Sequence, residues 1–90
     1  MTTKETIKML YKINPQILRL CMSWATDLRR EKDRNQSKFA GMYEGRIKGA
    51  LQALACMRII EDVDKRVLYL FFVGDQYNEM EVCELLGIAA

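Results

Sequence analysis

Apolar residues return every third or fourth position through most of this chain, and that spacing constrains its fold more than any other feature. The clearest case is the segment 38–60, where Phe39, Tyr43, Ile47, Leu51, Leu54 and Arg58 track one face and Ala50 lies beside it. This is helical periodicity, which predicts one long amphipathic helix. The only run that reads as a strand by composition is Val67-Leu68-Tyr69-Leu70-Phe71-Phe72-Val73. It has no second strand to pair with, so it too is expected to be helical.

Local signals divide the rest. Thr2-Thr3-Lys4-Glu5 has the pattern of a capping box and opens a helix over 2–12, with Ile7, Leu10 and Tyr11 as its apolar face. Asn14-Pro15 ends that helix and starts the next, Asn14 as N-cap and Pro15 as first helical residue. Ile13 and Leu18 are spaced to close a hydrophobic staple over that cap. The second helix carries Ile17, Cys21, Trp24 and Leu28 inward and runs to about Arg34. Asn35-Gln36-Ser37 is the expected break, with Ser37 as N-cap of the long helix. Glu61, Asp62 and Asp64 put negative charge where a helix start favours it. Gly74-Asp75-Gln76 interrupts the apolar run. Asn78 then caps a last helix, with Tyr77 and Val82 as a second staple, and Gly87 stops it. The expected fold is all-α, a compact bundle of four to five helices, with residues 1–90 as a single helical domain.

Size agrees with a single domain. A chain of 10.5 kDa should bury roughly 64% of the surface its unfolded form exposes, falling from about 15,200 to about 5,400 Å². Half the residues are hydrophobic and 29% are charged, a globular balance.

Composition also excludes functions. The chain has no histidine, so no imidazole base and no Ser-His-Asp triad is available. Cys21, Cys56 and Cys83 are odd in number and far apart, which suits neither a disulfide framework nor a zinc site. All three read as small buried hydrophobes in a reduced, cytoplasmic protein. The acidic group at 61–64 lacks the ligand alternation and glycine of a calcium loop. No phosphate-binding loop, signal segment or apolar stretch of membrane-spanning length occurs; the longest apolar run has seven residues. These features point to a protein without catalytic, cofactor or metal site.

Two features point to binding. Gly41, Gly45, Gly49 and Ala53 are spaced four apart on the long helix, and each mid-helix glycine costs about 0.5–1 kcal/mol relative to alanine. Close approach of another helix would offset that cost. The stripe packs either against the second helix of the same chain or against another chain, as a homodimer seam or a partner groove. Leu68, Tyr69, Phe71 and Phe72 form a second candidate interface, because the helix they lie on is apolar all round. Of the other large side chains, Trp24, Phe39 and Tyr43, with Met9, Met22, Met42, Met57 and Met80, read as core filling.

Charge is unevenly distributed. Residues 1–60 hold 12 Lys and Arg against 5 Asp and Glu, a net +7, whereas residues 61–90 hold 2 against 7, a net −5. Such polarity steers a charged partner, supports head-to-tail pairing, or lets the two halves neutralise each other within the fold. Arg29, Arg30, Lys32, Arg34 and Lys38 are candidate contacts for phosphate or an acidic partner. Arg29 and Arg30 read as solvent-facing.

The C-terminal third resembles a known motif. Arg66-Val67-Leu68-Tyr69-Leu70-Phe71-Phe72-Val73, then Glu81-Val82-Cys83-Glu84-Leu85-Leu86-Gly87-Ile88, is similar to the start of a helix-turn-helix of the sigma-factor region 4 type, a pattern also carried by related phage regulators. The likeness covers residues 66–88, with one extra residue between Gly74 and Met80. It implies that 81–88 is the first helix of the motif, that small Cys83 permits close crossing, and that Gly87 and Ile88 form the turn. The chain departs from the family at Ala89-Ala90, where the recognition helix that reads DNA bases should begin.

The function expected from all this is a small protein–protein interaction module without enzymatic activity. It would be a homodimeric accessory or inhibitor protein of a bacterium, phage or mobile element, with a protein partner and no membrane. The alternative is a nucleic-acid-binding transcriptional regulator with a degenerate helix-turn-helix.

Overall fold

The computed structural model describes residues 1–35 and 37–89. Five helices follow in order: α1 (Thr3–Ile13), α2 (Pro15–Asp33), α3 (Ser37–Cys56), α4 (Asp62–Val73) and α5 (Glu79–Leu86). The protein is all-α, and the 67–73 run is helical. Gln36, in the middle of the expected break, and Ala90 lie outside the described residues.

The helices begin and end where short-range chemistry dictates. The Glu5 amide donates to Thr2 Oγ1 at 3.1 Å, and the Thr2 amide donates back to Glu5 Oε1 at 3.0 Å. The same hydrogen bonds hold the Glu5 carboxyl below its ordinary pKa. Asn14 ends α1 and accepts from the Ile17 amide at 3.1 Å, so one residue serves both helices. Asn78 does the same for α5 through the Glu81 amide at 3.1 Å, and Gly87 closes it in the left-handed conformation. At Gly74 a Cβ would sit 2.5 Å from the Leu70 carbonyl oxygen, so the chain leaves α4 only because no side chain is there.

Two boundaries differ from expectation. Ser37 is the first residue of α3, not its cap. Of the two residues expected to staple the Asn14 cap, Leu18 is buried and Ile13 is exposed. Most informative, α3 ends at Cys56 and not near Ile60, so Arg58 does not continue its apolar face. Arg58 takes φ 58°, and the amides of Arg58 and Ile59 donate to the carbonyls of Ala55 and Leu54. This is a Schellman C-cap with arginine at the position glycine usually holds.

α2 and α3 form a helical hairpin joined by the short turn at Asn35, which also adopts positive φ. α4 packs across α1, α2 and α3, and α5 closes against α1. The core gathers Ile7 and Leu10 from α1, Leu18 and Cys21 from α2, Ile47 and Leu51 from α3, and Leu68 and Phe72 from α4. Phe71, Phe72 and Tyr77 meet edge-on or tilted, with ring centroids 5.4–5.9 Å apart. The folded chain exposes 5877 Å², near the roughly 5,400 Å² its mass implies.

Candidate functional site

The glycine stripe faces outward. Gly41, Gly45, Gly49 and Ala53 are all exposed, and a Cβ built on any of the three glycines meets nothing within 4 Å. Packing of the stripe against α2, one of the two expectations, therefore does not occur. α3 instead turns Ala40, Ile47, Leu51 and Leu54 to the core. Its open face is bordered by exposed Phe39 and Met42, with Met57 just beyond its end, so these three do not fill the core. Lys38, Arg46 and Lys48 stand on the same exposed face. The only acid on α3, Glu44, is half-buried and pairs with Lys32 at 3.9 Å.

The second candidate surface changes membership. Leu68 and Phe72 are fully buried in the chain's own core, and Tyr69 and Phe71 pack against it. The large apolar side chains α4 presents to water are Leu70, 64% exposed, and Val63, 61% exposed. An all-round apolar helix carries no periodic signal for which side is covered. Leu68 and Phe72 cannot line an interface without unfolding.

The basic segment splits. Arg29 is half-buried and reaches across to the α4–α5 connection, where its guanidinium donates to the carbonyls of Gly74 and of Tyr77, the latter at 3.1 Å. It also lies 5.3 Å from the centre of the Tyr77 ring. Arg29 is a fastening of the fold, contrary to its reading as solvent-facing. Arg30 pairs with Asp27 at 3.3 Å, Lys32 reaches Glu44 and the Val73 carbonyl, and Arg34 lies 4.0 Å from Glu31. Lys38 is exposed, and among the described residues it has no carboxylate within 4 Å. Four of the five cations thus have partners within the chain.

Tyr77 completes the fastening. Its hydroxyl donates to the Met22 carbonyl at 2.9 Å and pairs with the Thr26 hydroxyl at 3.0 Å. Burial raises its pKa to about 12, against the opposing pull of the Thr26 hydrogen bond. The sequence marks Tyr77 only as a staple residue; its partners lie about fifty positions away.

A basic groove of about 430 Å³ lies between α3 and α4. Lys48 and Gln52 form one wall and Lys65, Arg66 and Tyr69 the other, over Leu51. Sequence reasoning missed this group because its members lie on separate segments. The one available signal is that Lys65 and Arg66 are the only cations among residues 61–90.

Two cysteines are buried as expected, and burial pushes the Cys21 thiol up to about 12. Cys56 is exposed, contrary to its reading as a buried hydrophobe. Among the described residues, no three Cys, Asp or Glu side chains gather to hold a metal ion, and no helix is long and apolar enough to cross a membrane. No protein-family model, curated protein or solved structure matches this chain.

Proposed function

We propose that this chain is a non-enzymatic protein–protein interaction module that self-associates through the open face of α3. The observation that carries the reading is the solvent-facing row Gly41, Gly45, Gly49 and Ala53. Its three glycines lower helix stability by about 0.5–1 kcal/mol each, and no intrachain contact offsets that cost. A second copy of α3 could approach backbone to backbone along this row, burying Phe39 and Met42 beside it. Such a module suits an accessory or inhibitor protein of a bacterium, phage or mobile element.

Analytical ultracentrifugation of wild type and Gly45→Leu tests the proposal. The variant should fold, since its Cβ has open space, and should be monomeric where wild type dimerises. A symmetric seam brings Lys38, Arg46 and Lys48 of the two copies together, so the dimer should tighten as salt rises. A wild type that stays monomeric at high concentration and at every salt would refute self-association. So would a Gly45→Leu dimer of unchanged strength.

A further inference from the structure

Lys48, Lys65 and Arg66 converge on one groove from two helices, and no carboxylate lines it. Among the described residues, Lys48 and Arg66 have no carboxylate within 4 Å. Lys65 is held in place: its ammonium donates to Gln52 Oε1 at 2.9 Å and lies 3.7 Å from Asp62. The Asp62 side chain is 90% exposed, so water screens that pair and leaves much of the Lys65 charge to the groove. The neutral polar groups of the lining are Gln52 and Tyr69. Gln52 turns its oxygen to Lys65 and its amide nitrogen away to Cys56 Sγ, at 3.3 Å. Tyr69 lines the facing wall and carries the one O–H donor among the lining side chains.

We infer that this α3–α4 groove binds a phosphate group. Three cations around one cavity match a dianion better than a single carboxylate, and the planar fork of Arg66 suits two oxygens of one phosphate. About 430 Å³ is more than a bare phosphate fills, and the half-buried Tyr69 ring offers apolar surface for the rest of a phosphate ester. The site uses none of the cations of the 29–38 segment. Lys48 also stands on the α3 face proposed to self-associate, but Lys65 and Arg66 do not, so Arg66→Gln tests the groove apart from the seam.

The test is an amide NMR titration of the intact protein with inorganic phosphate, AMP and a short DNA duplex, each compared with chloride at equal ionic strength. Saturable shifts at residues 48, 52, 65, 66 and 69 are expected, with a dissociation constant for AMP of roughly millimolar or tighter. Lys48→Gln and Arg66→Gln change exposed side chains and should keep the fold. Each should weaken binding by about tenfold. AMP binding tighter than the duplex identifies a small ester as the source of the phosphate, and the reverse order identifies a polynucleotide backbone. Equal shifts from chloride would overturn the inference, as would affinities unchanged in both variants.

Discussion

Replacing Tyr77 by phenylalanine removes one oxygen where α2 is fastened to the α4–α5 connection, and pH supplies a second axis on which to read the result. The phenol makes two hydrogen bonds, to the Met22 carbonyl at 2.9 Å and to the Thr26 hydroxyl at 3.0 Å. At about 0.5–1.5 kcal/mol each, their loss should destabilise the variant by roughly 1–3 kcal/mol at pH 7. For a domain of this length each kcal/mol lowers Tm by about 4–8 °C. The buried phenol ionises near 12 in the folded chain, against an ordinary value of 10.0. A group raised in this way contributes stability that is whole below pH 10 and is lost as pH rises through 12. The contribution is at most roughly 3 kcal/mol. Phenylalanine does not ionise and lacks this loss. The Cys21 thiol, also raised to about 12, titrates in both proteins and cancels from the comparison. Urea unfolding followed by circular dichroism from pH 7 to above pH 11 should show a stability gap that narrows once pH passes 10. A gap that stays constant across the range refutes the linkage. A variant as stable as wild type at pH 7 refutes the role given to the two hydrogen bonds.

Two further outcomes follow from where side chains lie. Arg29→Glu should destabilise the fold by about 2–4 kcal/mol, because it strips donors from the Gly74 and Tyr77 carbonyls and places a carboxylate beside them. Arg30→Glu, on an exposed side chain paired only with Asp27, should cost less than about 1 kcal/mol; equal costs in thermal melts would contradict the assignment of Arg29 as a fastening. With a thiol-reactive disulfide reagent, exposed Cys56 should react fast in the native protein, and buried Cys21 and Cys83 only after unfolding. Fast native reaction at Cys21 would contradict its burial.

Much of the architecture was legible locally. The caps at Thr2, Asn14, Asn78 and Gly87 depend on residues a few positions apart, so the local sequence is enough to read them. The end of α3 was not legible, because Arg58 occupies a left-handed site that sequence patterns reserve for glycine. Functional surfaces fared less well. The spacing of Gly41, Gly45 and Gly49 reveals a row of small residues, but periodicity is silent on what the row faces.

By itself, the sequence determined the helical class, the local caps and the lack of any histidine-based chemistry. Those follow from side-chain spacing, short-range hydrogen bonds and composition. The tertiary structure decided that Leu68 and Phe72 enter the core while Leu70 faces water, a choice that an all-apolar helix leaves open. It also decided that Arg29 is spent on the Tyr77 loop and that Lys48 faces Lys65 and Arg66 across a groove. The physical reason is distance along the chain. A pair such as Arg29 and Tyr77 meets only after the core has placed α2 against the α4–α5 connection, and no local rule encodes that meeting.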